Sequence, residues 1–533
     1  MQKRNPFNFP TILSIVLVFG ILIGYVLSSN NKYSSGFSSS YNEKDKLKEV
    51  LNLIQKDYVD TINEKELIEK TLSEMLHNLD PHSSYIPAKS FKNIEDEMSG
   101  NFDGIGVQFR IQNDSVVVVM PISGGPSAEK GIRAGDRIVG VDGKDITQDK
   151  ITNDKVMKLL KGPKGSEVML TIYRPSIKEH LEFEIKRDKI PVYSIDIGYM
   201  PEPTIGYIKI NRFSATTYEE FMQKTSVLKS QGMKKLIIDL RDNGGGYLHA
   251  ATNVSNDFLG DQTTIVYTIG KNRDKEIISA TKSTRLKNIE LIILINEYSA
   301  SASEIVAGAI QDNSRGLIVG RRSFGKGLVQ EQLEFSDKSA IRLTVARYYT
   351  PSGRCIQKSY ENGYEDYESD LLNRYSNDEL INKDSIHFTD SVKYYTTDGK
   401  IVYGGGGIMP DIFVPMDTSH LYSYMNKLSG RGLIYQSAFD YTDAHRDQLL
   451  EKYKTPESFI QDFKVSDKLM DNLLSLAKSK GIKHNAKSYA FCKEDIKARM
   501  KAYIGRGILD NEAFYPVLLS TDKTFLKALK EFK

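Results

Sequence analysis

An apolar run, Leu291–Ile295 (LIILI), leads straight into Asn296, Glu297 and Tyr298 and then the series Ser299-Ala300-Ser301-Ala302-Ser303-Glu304-Ile305. The run predicts a buried strand, and the residues after it a helix. A serine at that junction sits near a helix N-terminus, where free N–H groups stabilise a developing oxyanion. Ser301 followed by Glu304 also spells a capping box, so alone the pattern fits a helix cap as well as a nucleophile. A second segment, Ser323-Phe324-Gly325-Lys326-Gly327-Leu328-Val329-Gln330, shifts the balance. A lysine between two glycines and beside apolar residues can be desolvated, which lowers its pKa. A neutral lysine can take a serine's proton, so Ser301 and Lys326 form a workable nucleophile and base. Gln330 is placed to orient the lysine. The bland readings are a solvated loop lysine and a polar strand residue.

Two glycine-rich segments add backbone donors. Asp239-Leu240-Arg241-Asp242-Asn243-Gly244-Gly245-Gly246 ends a strand-like run, LIIDL, and its glycines can form a nest of N–H groups, half of an oxyanion hole. It has neither the GxGxxG fingerprint nor a Walker lysine, so phosphate binding is the weaker reading. Gly104-Ile105-Gly106-Val107 precedes another strand and can offer N–H groups to a peptide's terminal carboxylate, with the strand edge free to pair with the peptide. A tight turn and a plain hairpin are the structural alternatives. No CxxC, HExxH or clustered histidine pair occurs, so neither a zinc mechanism nor any cofactor is expected.

These residues need a scaffold, and the chain has 533 residues to build one. Its 40% hydrophobic and 26% charged content is that of a globular protein, and a net charge of +3 gives no electrostatic reason to expect nucleic acid. Lys3 and Arg4 precede the apolar run Ile12–Leu27. That order reads as a signal anchor more than a cleaved signal, since no Ala-x-Ala-like site follows. The expectation is a single-pass segment over residues 1–30 in the cell membrane, with everything after it extracytoplasmic (periplasmic in a Gram-negative source). Residues 31–97 read as a polar linker (Ser28–Ser40) and a helical region. Residues 98–188 carry several short strands and two short helices, a compact, partly β domain. Residues 189–420 alternate strand and helix, an α/β domain with a polar insert near 360–400 that reads as a loop or lid. Residues 421–533 read as a separate helical domain. Cys355 and Cys492 lie too far apart in sequence for their pairing to be inferred.

At this point the motifs are recognisable. "GIGVQF…GGPSAEKGIRAGDRIVGVDG" looks like a PDZ domain. "LIIDLRDNGGG…NEYSASASEIVAGAIQD…RRSFGKGLVQ…LTVARYYTPSGR", with "LDPHSSY" (Leu79–Tyr85) and "GIMPDIFVP" (Gly407–Pro415), resembles the carboxyl-terminal processing (tail-specific) proteases. The resemblance covers about residues 45–415. It implies an α/β multidomain fold with a crotonase-like protease core, an inserted PDZ domain, an N-terminal helical cap and a C-terminal helical domain. It places the nucleophile on Ser301, the base on Lys326 and the supporting glutamine on Gln330. It gives Asp312 either a further catalytic role or one in stabilising the fold, and assigns oxyanion donors to the N–H groups of Gly245 and Ala302. It implies peptide binding by Gly104, Ile105, Gly106 and Val107. The expected substrates are exported proteins with exposed C-termini, cleaved by a chain that is a candidate homo-oligomer. The C-terminal region after about residue 420 and the insert near 360–400 depart from the minimal family pattern. The competing readings are a catalytically silent PDZ scaffold and a histidine-dependent protease using His249, the latter without any G-x-S-x-G elbow to support it.

Overall fold

The computed structural model describes residues 9–30, 43–112, 115–147, 151–282, 285–387, 392–417 and 419–532. Lys3, Arg4 and the linker from residue 31 lie outside them. The chain divides into two compact units, Met1–Leu72 and Ser73–Lys533. The first holds the helices Phe9–Asn30 and Glu43–Asp57 and most of Glu64–His77. Large apolar side chains from Ile15 to Val26 are exposed along the first of these. Among the described residues, however, no helix is long and apolar enough to cross a membrane, so the expected anchor is not shown.

The second unit is built around a six-stranded sheet with the order Ile195–Glu202, Ile205–Ile210, Lys235–Asp239, Glu290–Ile295, Leu317–Gly320, Ile412–Phe413. The first pair is antiparallel and the rest are parallel. Parallel strands are covered on both faces, which is why LIILI is apolar throughout. Leu291, Ile293 and Ile295 pack with the layer that includes the helices Thr217–Ser230, Leu248–Asn256 and Ala302–Asp312. Ile292 and Leu294 face the other way, onto Leu519, Phe525, Ala528 and Phe532. The helix Lys523–Glu531 is therefore part of the protease core's second layer. This corrects the expectation of a wholly separate C-terminal domain. Residues 424–513 do have a core of their own, centred on Leu428, Phe459, Leu473 and Met500.

A five-stranded antiparallel sheet adjoins this core and contains the strands Leu328–Glu334 and Ala340–Tyr349. The strands expected over residues 98–188 form their own six-stranded sheet around Val118, Ile138, Leu170 and Ile172. The polar stretch near 360–400 also differs from a simple loop. It contains the helix Tyr364–Ser376, which buries Tyr367 and Arg374. Cys355 and Cys492 are not joined in a disulfide.

Candidate active site

In an open parallel sheet the loops at the strands' carboxyl ends form the site. Lys235–Asp239 and Glu290–Ile295 pair in parallel, so the segments that follow them emerge side by side. They are stitched together. Ala300 N–H donates to the Asn243 carbonyl at 3.0 Å, Ser303 Oγ donates to the same oxygen at 2.9 Å, and Ser299 Oγ donates to the Leu240 carbonyl at 2.8 Å. Asn296 and Asp242 exchange two further hydrogen bonds at 2.8 and 2.9 Å. This frame holds Ser301 at φ 55°, ψ −113°, a region that costs a non-glycine residue about 1–3 kcal/mol. The sharp strand-to-helix turn is thus present without the G-x-S-x-G signature. Only glycine fits opposite it: Gly245 has φ +105°, and a Cβ there would lie 2.8 Å from that of Ser301.

Glu304 joins the nucleophile segment to the lysine segment. It is fully buried. One carboxylate oxygen accepts from the N–H groups of Ser301 (2.9 Å) and Lys326 (2.8 Å). The other accepts from Ser323 Oγ (2.6 Å) and Gly325 N–H (2.8 Å). Burial pushes its pKa up to about 7 against the pull of these donors. Tyr348 adds a second tie, its hydroxyl lying 3.1 Å from the Ser301 carbonyl and 2.7 Å from that of Lys326. The capping box legible in the sequence thus has a wider reach than one helix end.

Lys326 is desolvated, and its pKa falls to about 8; burial is the main cause and the charge of Arg342 adds to it. Its Nζ donates to Gln330 Oε1 at 3.0 Å. Gln330 in turn donates through Nε2 to the His82 carbonyl at 2.5 Å. The LDPHSSY segment is fixed there by Asp80, which accepts from the His82 and Ser83 N–H groups and from Thr344 Oγ1 at 2.8, 2.9 and 3.0 Å. His82 itself is held neutral, its pKa lowered to about 3 by burial and by the charge on Lys326. Arg374, from the insert's helix, donates to the carbonyls of Ser323 and Phe324 at 2.8 and 2.9 Å. Sequence reasoning missed Arg374, Tyr348 and the His82 carbonyl. Each of these hydrogen bonds ends on a backbone oxygen, which leaves no residue-type signal.

Two expected site residues are engaged elsewhere. Asp312 does not approach Ser301 or Lys326. It lies at the far end of the nucleophile helix, about 16 Å along its axis at 1.5 Å per residue. There it pairs with fully buried Arg354 at 2.7 Å and accepts from Ser352 N–H and Oγ at 3.1 and 2.6 Å. The Gly245 N–H is engaged with Asn243 Oδ1 at 2.9 Å, so in this geometry it is not a free oxyanion donor. The Ala302 N–H opens the helix beside it and lies 3.0 Å from where a Gly245 Cβ would be. His249 stacks on Tyr247 with ring centroids 5.1 Å apart, and no hydrogen bond among the described residues joins it to Ser301.

The peptide-binding segment expected at Gly104–Val107 borders a cavity of about 410 Å³ that Met157 and Leu160 also line. Gly106 has φ +75°, and a Cβ there would meet Ile190 Cδ1 at 3.0 Å. The Ile105 carbonyl accepts from Ser127 N–H and Oγ at 3.0 and 2.6 Å, which pins the loop. Among the described residues, no group of three or more His, Cys, Asp or Glu side chains is arranged to hold a metal ion.

Family models match four parts of the chain. The peptidase family S41 model matches residues 204–365 and a PDZ domain model residues 104–186. The model of the N-terminal domain of activating protease CtpB matches residues 26–90, and a family of unknown function, DUF8443, matches residues 424–510. A carboxy-terminal-processing protease of Bartonella bacilliformis is 35% identical over 342 residues, which is 63% of this chain and 76% of that protein. The carboxy-terminal processing protease CtpA of Bacillus subtilis is 32% identical over 67% of this chain and 76% of its own. Among solved structures, a photosystem II D1 C-terminal processing protease is 27% identical, with a TM-score of 0.34 over 60% of this chain and 90% of that one.

The α/β core and the PDZ domain beside it define a serine peptidase. The chain belongs to peptidase family S41, among the carboxy-terminal processing proteases.

Proposed function

We propose that this chain cleaves exported proteins at or near their C-termini with a Ser301–Lys326 dyad on a crotonase-like core, and that its PDZ domain takes hold of the substrate tail. The observation that carries the dyad is the single Glu304 oxygen that accepts from both the Ser301 and the Lys326 N–H, beside a lysine whose pKa falls to about 8. Ser301 Oγ attacks the peptide carbonyl while neutral Lys326 takes its proton. Gln330 accepts one lysine hydrogen and leaves the lone pair for the serine. The Ala302 N–H, with a donor from the Gly244–Gly246 nest, holds the oxyanion. The lysine then passes the proton to the leaving amine, and water hydrolyses the acyl-enzyme. The test is digestion of a loosely folded protein by the full-length chain, beside its Ser301→Ala and Lys326→Ala variants. Cleavage by the parent alone is expected; undiminished cleavage by either variant removes that residue from the dyad.

The exposed apolar side chains from Ile15 to Val26 support a membrane anchor, because water disfavours a bare run of that size. The catalytic part then faces outward, since the positive flank stays inside. Alkaline extraction of membranes should leave the full-length protein in the pellet. Its complete release would refute the anchor.

A further inference from the structure

Two cavities flank one strand. Val107–Gln112 stands at the end of its sheet's strand order, paired with Ser115–Pro121, so its outer edge is open to an added strand. Successive side chains of a strand point to opposite faces. Val107 and Phe109 face the 410 Å³ cavity described above. Gln108, Arg110 and Gln112 face the other way and line a second cavity of about 750 Å³. Its far wall comes from the C-terminal helical region through Arg431, Tyr435, Lys480 and Arg506. Phe109 borders both cavities, so the open strand edge lies between them.

The second cavity is basic. Among the described residues that line it, Arg110, Arg431, Lys480 and Arg506 stand against one carboxylate, Asp440, which already accepts from Gln112 and Gln436 at 3.1 and 2.6 Å. Arg110 is positioned by the C-terminal region. Its Nη2 donates to Gln436 Oε1 at 2.9 Å, and its guanidinium lies over the rings of Tyr435 and Phe439 at 4.8 and 5.4 Å. Its buried Nη1 nevertheless donates to nothing among the described residues. A neutral amide and two aromatic rings thus hold the Arg110 charge at the cavity wall.

We propose that the C-terminal helical region is the second wall of the tail-binding site and selects acidic side chains at alternate positions of the substrate tail. This rests on the tail recognition proposed above. A tail paired with Val107–Gln112 places its last side chain in the apolar cavity. Its penultimate and fourth-from-last side chains then face Gln108 and Arg110. A carboxylate there meets the combined field of Arg110, Arg431, Lys480 and Arg506.

The experiment uses full-length Ser301→Ala protein and two fluorescent peptides with the same apolar C-terminal residues. One carries Glu at the penultimate and fourth-from-last positions, the other Gln. The Glu peptide is expected to bind about 5-fold tighter at low salt, with the gap closing as salt rises. The double variant Arg431→Glu/Lys480→Glu should abolish the gap while still binding the Gln peptide. Equal binding of the two peptides, or a preference that survives the double variant, overturns this wall's role and leaves tail recognition standing. Binding of neither peptide overturns tail recognition and this proposal with it.

Discussion

At the scale of single residues, two titrating groups govern the site. Lys326 acts only when neutral, and its pKa has fallen to about 8, so activity rises with pH through that value and is lost below it. Glu304 accepts four hydrogen bonds only when ionised, and its pKa has risen to about 7. Below that value it gains a proton that one of its N–H donors must then face. Both changes act in the same direction. The logarithm of kcat/KM should climb with a slope near two below pH ~7, near one between 7 and 8, and level off above. Glu304→Gln puts an amide N–H₂ where a carboxylate oxygen accepted two N–H groups. It should cost about 100-fold in kcat, through misplacement of Ser301 and Lys326, and reduce the acid limb to unit slope. A profile in the variant that still shows two protons would mean that Glu304 is not the second group.

At the scale of elements, the nucleophile helix has a chemical end and a structural end. Asp312→Ala strips a fully buried arginine of its carboxylate, which costs about 3–5 kcal/mol. Urea unfolding should show that loss, and kcat/KM per folded molecule should stay near the parent's. Full stability with lost turnover would return Asp312 to the chemistry. Most elements were legible in advance. The apolar run Leu291–Ile295 marked the strand Glu290–Ile295 to within a residue, because its own side chains fill a core on each face. The strand Leu328–Glu334 was hidden, since Gln330, Glu331, Gln332 and Glu334 give it no apolar alternation. The helix Tyr364–Ser376 was hidden likewise. Its buried residues are a tyrosine and an arginine whose partners lie elsewhere in the chain. Ser301 and Lys326 could be named because their neighbours are small. Of the residues that unite them, Glu304 was legible only as a helix cap and Tyr348 not at all, because most of their bonds end on backbone atoms.

At the scale of the whole molecule, the C-terminal region is bound to the protease core as well as to the PDZ domain. Arg241 is clamped between Asp239 (2.6 Å) and Asp522 (2.8 Å), and Leu519, Phe525 and Phe532 cover the sheet's second face. A chain ending at residue 420 should therefore fail to give soluble, active enzyme. A monodisperse, active fragment of that length would show the cover to be dispensable. The cover also sets a clock. The strand at Ile205 is made long before Phe525, and at roughly 5–20 residues per second the gap is on the order of tens of seconds. Through that interval Tyr207, Ile237, Ile292 and Leu294 lack the cover of Leu519, Phe525, Ala528 and Phe532. The nascent chain is then a client for holding chaperones, and no cleavage-competent molecule exists until the last layer closes.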